Sequence, residues 1–132
     1  MSFLDAYKHL EKLCGEVMQD SRKVTAYIEA MAGCPDGAKL VKGWESDLTA
    51  LKHYRSIRNE LAHNPDASER KLVKHADIKW VKKFYKRLKK GSDPLSLYKN
   101  RARVRRGFAR FMLLLIVLAV AAAAVVYFLY LR

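Results

Sequence analysis

The sequence predicts an all-α protein: a small bundle of four to five helices followed by one C-terminal transmembrane helix. Three observations support this fold class. Apolar residues recur every three or four positions over most of residues 1–90, which is the period of an amphipathic helix. Glycine or proline marks short breaks at 33–37, 64–66 and 91–94. Residues 111–131 carry no charge and are rich in Leu, Val, Ile and Ala.

The helical segments can be placed in order along the chain. The first is expected from Ser2 to about Met18, and Gln19-Asp20-Ser21 supplies an N-cap for a second segment that carries Val24 to Met31. The pattern leaves open whether these are two helices or one bent helix. After the break at 33–37, helices are expected over about 38–62 and about 68–90.

Two arginines continue the apolar face of the third segment. At about 100° per residue, one line holds Leu40, Trp44, Leu48 and Leu51 and then Arg55, Arg58 and Ala62. A guanidinium stays protonated, so on a buried face it needs a carboxylate, a carbonyl or a phosphate. Pro65 ends the helix close to His63. We expect that end to let the imidazole fold back toward Arg58.

The end of this helix resembles the signature of the HEPN superfamily. Arg58-Asn59, a spacer of Glu60-Leu61-Ala62 and then His63 match its arginine, polar residue and histidine. Many HEPN domains are metal-independent RNA endonucleases with this motif at a homodimer interface. The resemblance covers roughly residues 1–90. It implies that Arg58 stabilises phosphoryl charge, His63 acts as acid or base, and Asn59 orients one of them.

The resemblance also carries expectations about biology. Enzymes of this kind often act as toxins or in antiviral defence, which implies RNA as substrate and an antitoxin or regulatory partner. Other HEPN domains that carry the motif are binding or assembly modules, so activity stays open.

Asp77 interrupts the apolar stripe of the fourth segment, at about 40° from Val73. An unpaired carboxylate is costly in such a place. The pattern therefore predicts an ion pair between Asp77 and an inward arginine, either Arg55 or Arg58. Two interpretations remain: the pair positions a catalytic arginine, or it only neutralises buried charge.

The positive charge is concentrated in the second half of the chain. The net charge is +13, but residues 1–66 carry −1 and residues 67–132 carry +14. This asymmetry indicates an anionic partner, either nucleic acid or a lipid surface. A plain solvated surface is the alternative. The candidate binding residues are Lys79, Lys82, Lys83, Lys86, Lys89, Lys90, Arg101, Arg103, Arg105 and Arg106.

Residues 111–131 predict a single membrane span. At about 1.5 Å per residue, a helix of this length reaches about 30 Å, the thickness of a bilayer core. The arginines on its N-terminal side predict a cytoplasmic N-terminal domain, and hence a tail-anchored, single-pass protein. The expected organisation is a HEPN-like helical domain at 1–90, a basic juxtamembrane linker at 91–110 and a transmembrane helix at 111–131.

Two function hypotheses follow. Cys14 and Cys34 lack metal-ligand spacing, and no metal or cofactor is predicted. The first hypothesis is a membrane-anchored, metal-independent endoribonuclease that acts as a homodimer. The second is a non-catalytic, membrane-anchored helical module that binds anionic lipid, nucleic acid or a protein partner.

Overall fold

The computed structural model describes residues 2–131, whose regular secondary structure is entirely helical and includes no strand. The all-α class is confirmed. The helices are α1 (Phe3–Met18), α2 (Val24–Ala32), α3 (Gly37–Leu40), α4 (Trp44–His63), α5 (Glu69–Leu72), α6 (His75–Lys90) and α7 (Pro94–Tyr130). The chain divides into two compact units, Met1–Tyr98 and Lys99–Arg132, and α7 contributes residues to both.

The start of α1 is held by two side chains. Ser2 accepts a hydrogen bond from the Asp5 N–H at 3.2 Å. The Glu69 carboxylate accepts from the N–H groups of Phe3 at 2.7 Å and Leu4 at 3.4 Å. These donors have no partner within their own helix, and a negative charge suits the positive end of the helix dipole. Glu69 therefore joins α5 to the beginning of the chain.

The first segment of the chain is two helices, which answers the question left open by the sequence. Gln19 takes the left-handed conformation at φ 51° and ends α1, and the Asp20 N–H returns to the Gly15 carbonyl. The chain then turns through Ser21 and Arg22 before α2 begins at Val24.

Two of the expected helices are each divided. The segment predicted over 38–62 separates into α3 and α4 at Gly43, whose φ of 81° a helix does not accept. Gly37 lies against the indole of Trp44 so closely that an added Cβ would overlap the ring. The segment predicted over 68–90 separates into α5 and α6, with extended backbone at Val73 and Lys74.

The core lies within the first unit, where α1 packs against α2 and α6, and α2 packs against α4. Aromatic rings fill much of it. Trp80 stacks on Phe84 with ring centres 5.2 Å apart, and Tyr27 meets Phe84 edge-on at 5.6 Å. The large side chains that are almost completely buried include Phe3, Leu10, Tyr27, Met31, Val41, Leu51, Val81 and Phe84.

The buried face of α4 differs from the prediction. After Leu51 it continues through Tyr54 and Ile57, while Arg55 and Arg58 are only half-buried and Ala62 is exposed. Steps of three residues turn the contact face by about 60° each, so the face rotates away from the arginines. The expectation that both arginines continue the buried face is therefore wrong.

The first unit extends past residue 90 because the start of α7 packs on it. Leu95 is buried in the core, and the Tyr98 hydroxyl donates to an Asp36 carboxylate oxygen at 2.7 Å. Of the linker expected at 91–110, residues 94–110 are helical.

In the second unit, every residue from 111 to 131 is exposed. One helix of the described chain is long and apolar enough to cross a membrane, and it contains residues 111–130.

Candidate functional site

The motif residues lie on the C-terminal half of α4. Arg58 is half-buried, and its Nε donates to a Glu11 carboxylate oxygen at 3.1 Å. Asn59 and His63 are exposed. Arg58 therefore has a carboxylate partner, and that partner comes from α1.

Arg58 and Asn59 border a cleft between α1, the turn at residues 19–23 and α4. It consists of an outer cavity of about 610 Å³ and an inner cavity of about 240 Å³, which share Glu11, Ser21, Lys23 and Arg58. We call it the Arg58 cleft. Its charged lining residues are six cations (Lys8, Lys12, Arg22, Lys23, Arg55 and Arg58) and three anions (Glu11, Glu16 and Asp20).

Glu11 lies between two cations of the Arg58 cleft. One carboxylate oxygen accepts from Arg58, and the other lies 3.8 Å from the Lys23 ammonium. The Glu11 side chain is 13% exposed, whereas those of Arg58 and Lys23 are 39% and 50% exposed. The carboxylate is thus the most enclosed member of this trio.

The other two arginines of the Arg58 cleft differ in their partners. Arg22 is held by Asp20 at 2.9 Å and by Glu29. Arg55 is half-buried and lines the inner cavity, yet within residues 2–131 its side chain makes no hydrogen bond or ion pair. A guanidinium in that position is available to an anion that enters the cavity.

Tyr7 lines the inner cavity together with Glu11, Arg55 and Arg58. Burial raises the pKa of Tyr7 above its usual range; Glu11 raises it further, while Arg58 and Arg55 lower it. The phenol therefore stays protonated at physiological pH and is a hydrogen-bond donor.

Lys23 has a backbone conformation that L-residues rarely adopt, with φ 57° and ψ −115°. Such conformations cost about 1–3 kcal/mol and are concentrated at functional sites. Here the strained residue immediately precedes α2, and its side chain reaches Glu11.

His63 does not join Arg58 within one protomer. The helix continues through His63, which is the last residue of α4. Five helical positions place the two side chains about 140° apart around the axis. The expected return of the imidazole toward Arg58 is therefore not observed, and His63 is not among the residues that line the Arg58 cleft.

Asp77 pairs with a tyrosine instead of an arginine. One of its carboxylate oxygens accepts from the Tyr54 hydroxyl at 2.8 Å, and the other accepts from the Lys74 N–H at 2.8 Å. Because α6 begins at His75, Asp77 lies in the first turn, where a carboxylate caps the helix. The predicted ion pair with Arg55 or Arg58 is wrong, since α6 starts later than the apolar pattern indicated.

The lysines predicted as a basic face are all exposed on α6, and the four arginines are exposed on α7. Arg87 differs from them. It forms a two-pronged ion pair with the buried Asp47 of α4, at 3.1 and 2.9 Å. Hydrogen bonding to Asp47 raises the pKa of the Arg87 guanidinium.

Sequence reasoning did not find two polar features of the interior. The Tyr27 hydroxyl donates to the almost completely buried Asp93 and accepts from the Leu95 N–H at 3.1 Å, at the start of α7. Burial raises the pKa of the nearby Cys14 thiol to about 12, with Asp93 and Glu11 adding to the shift. An acidic residue before Pro94 was the signal available for Asp93, because Pro is favoured at the first position of a helix.

Among the described residues, no group of three His, Cys, Asp or Glu side chains could hold a metal ion.

The model of DUF6548, a family of unknown function, matches residues 1–110. The chain belongs to this family. No curated protein and no solved structure matches the chain. The family match includes the whole Arg58 cleft and the basic face of α6, and it ends just before the apolar segment of α7.

Proposed function

We propose that this member of the family is a membrane-anchored, metal-independent endoribonuclease of the HEPN type that acts as a homodimer. One observation carries the proposal: Arg58 and Asn59 line a solvent-accessible cleft with Arg55 and Lys23, instead of lying inside the core. Cations outnumber carboxylates around that cleft, which suits the phosphodiester backbone of RNA.

The chemistry assigns one role to each motif residue. The RNA 2′-hydroxyl loses a proton and attacks the adjacent phosphorus; the bond from phosphorus to the 5′-oxygen breaks, and that oxygen takes up a proton. Arg58 stabilises the charge on the phosphoryl oxygens, Asn59 orients the reacting groups, and His63 transfers protons. Because His63 lies away from Arg58 on its own helix, a second protomer supplies it.

The apolar segment of α7 anchors the protein in a membrane, with the first unit on the cytoplasmic side. Confinement to a membrane plane raises the effective concentration of protomers and favours the dimer. The lysines of α6 and the arginines of α7 then face anionic lipid or RNA. A role as a toxin or a defence effector, restrained by an antitoxin or regulatory partner, belongs to the same proposal.

Full-length protein incubated with RNA in the presence of a chelator tests the enzyme. Arg58→Ala and His63→Ala should each abolish cleavage while the helical content and the dimer are retained. His53→Ala is the matched control, since His53 is an exposed histidine of the same helix outside the motif. It should cut RNA as the parent does.

Mixing the two inactive variants tests the shared site. After random exchange of protomers, half of all dimers are heterodimers. If each site combines Arg58 of one protomer with His63 of the other, each heterodimer has one intact site. Random exchange should therefore restore about a quarter of the parent activity. No recovery would exclude a site shared in this way.

The alternative is a non-catalytic, membrane-anchored module that binds lipid, nucleic acid or a protein. The ion pair between Arg58 and Glu11 favours it, because an arginine can be retained simply to join α4 to α1. If Arg58→Ala and His63→Ala both cut RNA as the parent does, the enzyme hypothesis fails and this one replaces it.

A further inference from the structure

We propose that the inner part of the Arg58 cleft binds a single phosphate group, and that Glu11 is a built-in counter-charge that limits its affinity. The inference shares the anionic ligand of the proposed function but does not depend on cleavage, on His63 or on a dimer. The residues that would contact the phosphate are Arg55, Arg58 and Lys23, which line the inner cavity.

The unpaired side chain of Arg55 supports the binding of an anionic ligand. It is half-buried at the inner cavity and, within the described chain, has no carboxylate, carbonyl or hydroxyl bound to it. Its N–H donors are therefore not occupied by any acceptor of the described residues and remain available to an anion. A phosphate oxygen that enters this cavity would supply the missing acceptor.

Arg58 offers a second set of donors. In residues 2–131 it uses only its Nε, which donates to Glu11. Its two terminal nitrogens have no protein partner, so four N–H donors remain for an anion. The contact with Glu11 fixes the plane of the guanidinium, which reduces the conformational entropy lost when a ligand binds.

Hydroxyl groups complete the inner cavity. Ser21, Thr25 and Tyr7 line it together with the cations, and Tyr7 is protonated at physiological pH. Hydroxyl donors beside two arginines and a lysine match the several acceptor oxygens of a phosphate group. The inner cavity, about 240 Å³, is large enough for one such group but not for a folded macromolecule.

Glu11 limits the affinity because its negative charge lies between Arg58 and Lys23, within 4 Å of both. The carboxylate partly neutralises these cations and repels an incoming anion. Glutamine in its place would keep an acceptor for the Arg58 Nε while removing that charge. Glu11→Gln should therefore strengthen binding, which is the opposite of what the loss of a merely structural contact would do.

The experiment uses the full chain in detergent micelles at one fixed salt concentration. One arm titrates inorganic phosphate and adenosine monophosphate by calorimetry, and the other follows a labelled single-stranded RNA by fluorescence anisotropy. We expect Arg55→Gln to weaken binding about tenfold and Glu11→Gln to strengthen it about tenfold, the scale of one charge-assisted hydrogen bond.

Two matched controls separate the site from general electrostatics. Lys52→Gln and Glu45→Gln change the net charge by the same amounts at exposed residues of α4 that do not line the Arg58 cleft. Each should change the dissociation constant less than twofold. Circular dichroism of each variant confirms folding.

Weaker binding by Arg55→Gln and stronger binding by Glu11→Gln in the phosphate and mononucleotide arm would identify a phosphomonoester ligand. The same two changes in the RNA arm alone would identify a backbone phosphodiester. The proposal is overturned if, in both arms, Arg55→Gln behaves as Lys52→Gln and Glu11→Gln behaves as Glu45→Gln. Binding with the expected pattern but without RNA cleavage would refute the enzyme and leave this site in place.

Discussion

Cys14 and Cys34 differ in their surroundings, and their chemical reactivity should differ accordingly. Cys14 is completely buried and burial raises its pKa to about 12, so its thiolate is almost absent at pH 8. Cys34 is half-exposed. We expect an aromatic disulfide reagent to label one thiol per native chain at pH 8 and two in denaturant. Labelling of both thiols at equal rates in the native protein would contradict the packing around Cys14.

Asp77 is a helix cap. Its replacement should therefore lower the free energy of unfolding by less than the loss of a buried ion pair would. Asp77→Ala removes the acceptor for the Lys74 N–H and for the Tyr54 hydroxyl. We expect the free energy of unfolding to fall by about 1–2 kcal/mol, as for the loss of a cap and one hydrogen bond. Asp66→Ala, at an exposed carboxylate, is the control and should change it by less than about 0.5 kcal/mol.

The Asp77 and Tyr54 variants can be combined to isolate their contact. Tyr54→Phe alone removes the hydroxyl, and the double variant should cost less than the sum of the two single changes by about 1 kcal/mol. Full additivity in chemical denaturation would show that the two groups do not interact. A loss of 3 kcal/mol or more for Asp77→Ala would indicate a buried charge left unpaired.

At the scale of the element, the turn between α1 and α2 stores strain at Lys23. Both Lys23→Gly and Lys23→Ala remove the ammonium, but only glycine accepts a φ of 57° with a ψ of −115° at low cost. We therefore expect the glycine variant to be more stable than the alanine variant by about 1 kcal/mol or more. Thermal unfolding measures the difference.

Position 12 in the middle of α1 provides the reference for this comparison. Lys12 is exposed and helical, so alanine should be more stable than glycine there by about 1 kcal/mol. The same order at position 23 would show that the turn is unstrained.

The helices could be predicted from the sequence better than their contacts could. Periodicity located α1, α2, α4 and the apolar part of α7, because local spacing decides which residues share a helix face. It did not reveal the division at Gly43, since a single glycine in an apolar pattern is compatible with either outcome.

For the candidate site, the sequence indicated Arg58 but not the residue that it contacts. The motif drew attention to Arg58, and its need for an anion followed from its chemistry. The partner, Glu11, is 47 residues away on another helix, where local spacing gives no information. The rotation of the buried face of α4 through Tyr54 and Ile57 likewise depends on packing against other helices.

For the whole molecule, the exposed apolar segment of α7 predicts how the protein fractionates. Full-length protein should remain in the membrane fraction after a high-salt wash, because burial of about 20 apolar residues in lipid does not depend on ionic strength. Deleting residues 111–132 should release a folded first unit into the soluble fraction. If salt alone strips the full-length chain, the arginines form a peripheral anchor and the span is wrong.

A reporter fused at the N-terminus tests the orientation. In intact cells, a probe present in the cytosol should reach the reporter, as the arginines before the span predict. If the cytosolic probe does not reach the reporter, the topology is the reverse of the predicted one. The first unit would then have no access to cytosolic RNA.

The close contact between Gly37 and Trp44 means that substitutions at these two positions depend on each other. No side chain can be added at residue 37 while the indole stays in place. The indole in turn lies 5.6 Å from the ring of Tyr98 and is almost completely buried, so its loss would open a void. A lineage can therefore change residue 37 only after it has already replaced the tryptophan, and the two sites should covary as a single inherited unit.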